Sequence, residues 1–323
     1  MELDKLKIVV SNLESGVAGK LYELIIVGGG PAGITAGVYA ARKKMDTLLI
    51  SRDIGGQMLL TLDIENYIGY QFVTGAELSL KFEEQIDQYP IAVNEMDEVT
   101  GINQKGEEFV INTGAGADYR TKVLIIATGR RWKTLNIPGE KEFVGKGVSY
   151  CTVCDAPLFK GKDVVILGGG NSGVTGAIDL SKHARRVYLL ELSEKLNADP
   201  ILLERAQALD NVEYFLQHKL EEIQGESQVQ SVSVKDLSTH TLKVLDVQGV
   251  FIEVGSIPNS ELVNHLVKLN QKDEILIDYA CRTNVPGIFG AGDVTSVPEK
   301  QIIISAGEGA KAALGAYQYL LRK

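Results

Sequence analysis

One phrase occurs twice in the chain and restricts its fold more than any other feature. Leu24-Ile25-Ile26-Val27, an apolar β-branched run, passes at once into Gly28-Gly29-Gly30-Pro31-Ala32-Gly33 and then into small and apolar residues as far as Ala41. Val164-Val165-Ile166-Leu167 passes into Gly168-Gly169-Gly170-Asn171-Ser172-Gly173, then a helix-like stretch through Ile178 and Leu180, then a second strand, Val187-Tyr188-Leu189-Leu190-Glu191. Each copy reads as strand, tight turn, helix. Glycines permit the turn and let the backbone approach a pyrophosphate, whose oxygens the N–H groups of the helix start can meet. One glycine-rich turn is weak evidence, because such turns also arise for steric reasons. Two with the same flanks predict two dinucleotide-binding units, hence an α/β chain with two Rossmann-like domains of the three-layer ββα type.

The copies differ at the end of their second strand. In the second copy that strand ends in Glu191, the position from which a carboxylate accepts hydrogen bonds from a ribose 2′-hydroxyl and repels a 2′-phosphate, so NADH is expected rather than NADPH. In the first copy Thr47-Leu48-Leu49-Ile50 ends in Ser51-Arg52-Asp53, and the acidic residue is displaced or absent. Between the copies lie a predicted helix, Ala76 to Gln88, hairpin-like polar text from Gly101 to Ala117, and a strand, Val123 to Ala127, ending in Thr128-Gly129. Arg130 to Glu140 and Gly255 to Asn259 read as linkers. A strand at Gly287 to Ala291 and a helix from about Ile303 to Leu321 close the chain, and their return to the first domain would make the second an insertion. The expected organisation is an extension at 1–21, a first domain at 22–134 and 258–323, and a second at 135–257. The run Leu6 to Val10 fits a short strand or helix and takes no role.

The chemistry concentrates in Tyr150-Cys151-Thr152-Val153-Cys154-Asp155. Cysteines at this spacing can close a small disulfide ring, and a thiolate in such a pair is stabilised, so the bond can be made and broken repeatedly. Zinc would need about four ligands, but the remaining cysteine is Cys281 and the four histidines stand singly. No metal is expected. Cys281 reads as a small buried hydrophobe. Two nucleotides and one redox pair make a transfer chain, with one nucleotide a flavin and the other a nicotinamide, because moving a hydride to a disulfide needs a two-electron intermediary. A carboxyl beside the pair, Asp155, can hold a proton if burial raises its pKa, or it can serve as a helix cap. The 323 residues suffice for two cores, and a formal charge of −9 argues against nucleic acid or anionic membrane as partners. No apolar run reaches membrane-spanning length, Met1 to Lys20 is unlike a signal peptide, and three cysteines with two placed to pair fit a reducing, cytoplasmic setting.

These motifs, from about Tyr22 to the C-terminus, resemble those of the low-molecular-weight thioredoxin reductases and of the flavoprotein subunit of bacterial alkyl hydroperoxide reductase. The resemblance rests on Gly28 to Gly33, Gly55-Gly56-Gln57, Glu65-Asn66-Tyr67, Ala127-Thr128-Gly129, Cys151 to Asp155, Gly168 to Gly173, and Gly290-Ala291-Gly292-Asp293 with Gln301 to Ala306. It implies that FAD lies on Gly28, Gly30, Pro31, Ala32 and Gly33, with Gly56, Gln57 and Asn66 near the flavin. Thr128, Gly129, Gly292, Asp293, Gln301 and Ile302 complete that site. Gly168, Gly170, Asn171, Ser172, Gly173 and Glu191 would hold NADH. Cys154 would face the flavin, Cys151 would attack a partner's disulfide, and Asp155 would protonate the departing thiolate. NADPH-using members carry an arginine cluster after the second strand, where this chain reads Leu190-Glu191-Leu192-Ser193-Glu194-Lys195.

The implied activity is that of an FAD-dependent, NADH-preferring, thioredoxin reductase-like disulfide oxidoreductase. It would deliver electrons to a separate thioredoxin- or glutaredoxin-like protein, with a peroxiredoxin system as one setting, because the hydroperoxide reductase flavoproteins carry their own thioredoxin-like extension and Met1 to Leu21 is too short to be one. The resemblance also implies a homodimer, and a second domain that rotates about the two linkers. A ferredoxin- or flavodoxin-fed reductase and a non-enzymatic flavin redox sensor are the competing readings.

Overall fold

The run that opens the first copy sits at the centre of a sheet because nearly every residue in it is apolar, as a strand covered on both faces requires. In the computed structural model, which describes residues 15–61 and 64–323, Leu21–Val27 lies parallel to Thr47–Ser51 on one side and to Asp118–Ile126 on the other. Ala92–Glu95 extends the parallel part beyond Thr47–Ser51. Asp118–Ile126 is long enough to take two partners on its far side. Its first half pairs antiparallel with Glu108–Thr113, and its second half pairs parallel with Ile288–Gly290. The C-terminal segment thus returns to the first sheet. Val99–Lys105 and Glu108–Thr113 form the hairpin expected over Gly101 to Ala117. The Leu6 to Val10 run lies outside the described residues.

The second copy builds a second parallel sheet in the order Val212–Leu216, Arg186–Glu191, Asp163–Leu167, Gly249–Ile252, Val148–Ser149. Alternate side chains of a strand face opposite ways, and here each face has its own cover. Val165, Leu167, Leu190, Val250 and Ile252 pack with Ile223, Val232 and Leu245 of a three-stranded antiparallel sheet. Val164, Ile166, Leu189 and Phe251 pack with Val174, Ala177 and Leu180 of the helix Asn171–Ser181. The result is three layers: antiparallel sheet, parallel sheet, helix.

The described residues form two compact units, one of 15–59, 75–131 and 258–323, the other of 60–61, 64–74 and 132–257. Arg130–Trp132 and Ser256–Pro258, which join them, pair as a two-stranded ribbon. The helix expected over Ala76 to Gln88 spans Gly75–Ile86, and the closing helix spans Ile302–Leu320. The first strand starts at Leu21, earlier than its apolar run, because Leu21 and Tyr22 find partners in Arg120 and Thr121. No helix among the described residues is long and apolar enough to cross a membrane.

Candidate active site

In the first unit, Gly28 ends the central strand at φ +112°, and a Cβ there would lie 2.3 Å from Ala127 O. Only glycine fits both conditions. A Cβ on Gly33 would lie 1.7 Å from Gly28 O, so the helix Pro31–Arg42 starts hard against the turn. Gly30 precedes that helix in extended conformation without a capping side chain, and Pro31 fills its first position. The other expected residues gather on this turn. A Cβ on Gly56 would stand 3.3 Å from Gly30 Cα, one on Gly292 would stand 3.0 Å from Ala32 Cβ, and Gln57 Nε2 donates to Arg130 O. Thr128 and Gly129 are tied to Asn259: Thr128 Oγ1 donates to Asn259 O (2.6 Å), and Asn259 N donates to Gly129 O (3.0 Å). Burial pushes the Asp293 carboxyl up, against a hydrogen bond from Ser305 Oγ (3.0 Å) and the charges of Lys300 and Arg130. Extended Gln301 leads into the helix beginning at Ile302. Asn66, which is exposed, lies instead between the bridged residues Ile64 and Val73, in a segment that groups with the second unit.

The second unit repeats the cradle. Gly168 has φ +116°, a Cβ on Gly173 would lie 1.9 Å from Gly168 O, and extended Gly170 precedes the helix Asn171–Ser181 with open space where its Cβ would be. Glu191 closes over it: Oε2 accepts from Gly169 N (2.6 Å) and Oε1 from Ser193 N (2.8 Å). Burial pushes this carboxyl up, but those N–H donors outweigh it and hold Glu191 below the usual carboxylate range. Asn171 exchanges hydrogen bonds with Asp199 (3.0 and 2.8 Å), while Ser172 is exposed. Both cradles fit a pyrophosphate, since each offers an uncapped helix start beside glycine positions that any side chain would fill.

The redox pair is in the same second unit. Cys151 and Cys154 form a disulfide, and extended Cys151 caps the short turn Thr152–Asp155, with Cys154 N donating to Cys151 Sγ (3.2 Å). Val153 between them is 59% exposed, so a second protein can reach the turn. Asp155 accepts from Ser149 Oγ (2.6 Å), and the same hydroxyl oxygen accepts from Cys151 N (3.1 Å). One buried serine therefore ties the carboxylate to the backbone of the cysteine. Ahead of the pair, Tyr150 OH donates to buried Glu140 (2.8 Å), which also accepts from Leu135 N and Asn136 N, and the chain's one tryptophan, Trp132, stacks on the Tyr150 ring at 5.9 Å. Burial first, then Glu140, raises the Tyr150 hydroxyl well above its ordinary range.

Sequence reasoning missed Ser149, Glu140 and the buried pair Arg130–Glu274 (2.6 Å), which Lys300 joins at 3.4 Å in the first unit. Isolated polar residues carry no periodicity or spacing, so nothing along the chain signals them. Cys281 is fully buried, and burial pushes its thiol up to about 11, as suits an inert side chain.

Comparison with known proteins agrees with this geometry. A match to the pyridine nucleotide-disulphide oxidoreductases runs over residues 22–313, and the chain belongs to that family. Within it, the chain is 44% identical over 301 residues to the F subunit of alkyl hydroperoxide reductase from Staphylococcus aureus (strain NCTC 8325 / PS 47), covering 93% of this chain and 59% of that protein. It is 42% identical over 301 residues to a protein named NADH dehydrogenase in Ferdinandcohnia aciditolerans, covering 93% of this chain and 58% of that one. The chain thus spans less than two thirds of the length of these curated relatives. Its fold matches thioredoxin reductase from Streptococcus pyogenes MGAS5005 with a TM-score of 0.89 at 37% identity, covering 94% of this chain and 99% of that one. The two Rossmann-like domains and the family inferred from the motifs are therefore those of this chain.

Proposed function

We propose that the chain is an FAD-dependent, NADH-preferring disulfide oxidoreductase of the thioredoxin reductase type. Its net reaction takes NADH, a proton and a protein disulfide to NAD⁺ and a protein dithiol. The observation that carries the reading is the placing of an accessible Cys151–Cys154 disulfide and a nucleotide cradle in one unit, with a second cradle in the other. We assign the first domain, 22–134 with 258–323, to FAD, and 135–257 to the nicotinamide. FAD held by Gly28, Gly30, Gly33, Gly56, Gln57, Thr128, Gly129 and Asp293 would supply the two-electron step between nicotinamide and disulfide.

The protein's own groups do the rest. In the reduced pair, Cys151 attacks the disulfide of a thioredoxin- or glutaredoxin-like partner, a bond forms between the two sulfurs, and the partner's other sulfur leaves as thiolate. Cys154 then displaces the partner, restoring the Cys151–Cys154 disulfide and releasing the second thiolate. We assign to Asp155, whose carboxylate accepts from Ser149 Oγ, the delivery of a proton to the departing thiolate. For the nicotinamide, the support is Glu191: a carboxylate kept ionised at the edge of the cradle accepts from ribose hydroxyls and repels a 2′-phosphate. Three cysteines, two of them placed to pair, fit a reducing, cytoplasmic setting, and the resemblance to thioredoxin reductases favours a homodimer, which sedimentation would check.

Rapid anaerobic mixing of purified protein with NADH and, separately, NADPH tests the reading. Faster flavin bleaching by NADH, followed by reduction of a thioredoxin-type disulfide that Cys151→Ser abolishes, is expected. Bleaching by reduced ferredoxin alone, or no turnover with any disulfide protein, overturns it.

A further inference from the structure

Glu253 has no part in the chemistry above, yet it touches both sites of the second unit. Glu253 follows the strand Gly249–Ile252, and its N–H donates to Leu167 O (3.0 Å). Its main chain lies over the first glycine of the cradle, where a Cβ on Gly168 would be 2.7 Å from Glu253 O. Its side chain runs the other way, to the redox turn: Oε1 accepts from Thr152 N (3.1 Å) and from Thr152 Oγ1 (3.0 Å). Thr152 is 5% exposed and wedged against the cradle helix, where a Cβ on Gly176 would be 2.8 Å from its Cγ2. The residue after Cys151 is therefore fixed from two directions, by the cradle helix and by a carboxylate standing on the cradle loop.

That carboxylate also takes the N–H of the residue next to Cys151. A thiolate at the start of a helical turn is normally stabilised by the turn's N–H groups. Here Thr152 N points to Glu253, leaving Cys154 N for Cys151 Sγ. A negative charge beside a thiol further disfavours its ionisation. The titratable groups around the turn are Asp155, held by Ser149, Glu253, and Tyr150 with Glu140. Burial pushes the Glu253 carboxyl up, while the N–H and O–H of Thr152 oppose it.

We infer that Glu253 is a positioning residue that fastens the Cys151–Cys154 turn to the second nucleotide cradle and, through its charge, keeps the Cys151 thiol of the reduced pair less acidic than the turn alone would make it. The inference rests on the pair being redox-active.

The test uses flavin-loaded protein reduced with dithiothreitol and alkylated with iodoacetamide across a pH series, with Cys151 followed by mass spectrometry. In Glu253→Gln the amide oxygen still accepts from Thr152 but the charge is gone. The alkylation midpoint should fall by about one pH unit, a roughly tenfold rise in thiolate below the midpoint. Thr152→Val removes the hydroxyl and keeps the charge, so the midpoint should hold. Glu253→Ala removes charge and anchor together, and should also speed backbone amide exchange across Thr152–Asp155. An unmoved midpoint in Glu253→Gln overturns the inference, as does an equal fall in Thr152→Val or unchanged exchange in Glu253→Ala. If Glu253→Ala does not fold, Glu253→Gln decides. A wild-type pair that dithiothreitol cannot open would sink the oxidoreductase reading itself, so the two failures are told apart.

Discussion

The two nucleotide cradles are nearly the same object built from different words. In both, the first glycine has φ near the same positive value, +112° at Gly28 and +116° at Gly168, and its N–H donates to the end of the second strand, at Ile50 O and Leu190 O. In both, the last glycine sits where a Cβ would strike the first glycine's carbonyl, and the middle glycine's carbonyl accepts from the loop beyond, from Gly55 N or Asn197 N. They part at one side chain. The N–H of Gly29 goes to the hydroxyl of Ser51, which donates onward to Asp53 O (2.6 Å), whereas the N–H of Gly169 goes to the carboxylate of Glu191. Backbone geometry is thus common to both units, and a single acceptor, neutral in one and charged in the other, distinguishes them.

The hardest way to break the likeness is at the last glycine. A Cβ at Gly33 or Gly173 would sit less than 2 Å from a carbonyl oxygen, at the severe end of the overlaps that destabilise by about 1–3 kcal/mol. Gly33→Ala should give a colourless protein. Gly173→Ala should stay yellow yet lose NADH-dependent bleaching, as absorbance and NADH titration would show. Equal loss of colour in both variants would mean that the cradles do not hold different nucleotides.

The next effect is at the side chain that differs. Hydrogen bonds to a charged group contribute about 1.5–3 kcal/mol, so, on the proposed NADH-preferring reading, Glu191→Ala should lower the ratio of NADH to NADPH efficiency by about tenfold or more. Comparison of kcat/KM for the two nucleotides checks it.

A smaller contrast lies at the strand starts. Asp163, buried, takes two hydrogen bonds from Arg185 (2.8 and 2.7 Å), while Lys20 and Asp46 make an exposed pair (2.7 Å). The Arg185 hydrogen bonds, against some burial, hold the Asp163 carboxyl below its ordinary value. A depressed carboxyl gives stability that is present above its unfolded pKa, about 3.9, and is lost as pH falls through the lower folded value. Asp163→Asn should lower the melting temperature by a few degrees at neutral pH and more than Asp46→Asn, with the gap closing in strong acid. The smallest effect belongs to Ser51→Ala, which removes both neutral hydrogen bonds of the Ser51 hydroxyl; the one at the cradle, from Gly29 N, contributes about 1 kcal/mol, so flavin binding should weaken about fivefold, read by flavin release on dilution.

What could be read along the chain was whatever repeats or alternates. The strands and helices of both cradles fall within a few residues of their expected places because runs such as Leu24 to Val27 and Val164 to Leu167 are buried on both faces, and a sheet of that kind admits few other residues. The Cys151 to Asp155 turn was legible for the same reason: its chemistry depends on spacing. Ser51 was noticed only as a missing acid, and the structure shows it taking the Gly29 N–H itself.

By itself the sequence determined two glycine turns, the strands and helices around them, and a pair of cysteines near enough to bond, since all of these depend on residues adjacent in the chain. Only the tertiary structure decided that Glu253 reaches Thr152 across 101 residues and that Glu274 meets Arg130 across 144. Such contacts join groups brought close by the packing of sheets and helices, and a lone Glu carries no pattern that names its partner. Hydrophobic order is periodic and therefore written locally, whereas buried polar partnerships are set by what the completed fold leaves within hydrogen-bonding distance.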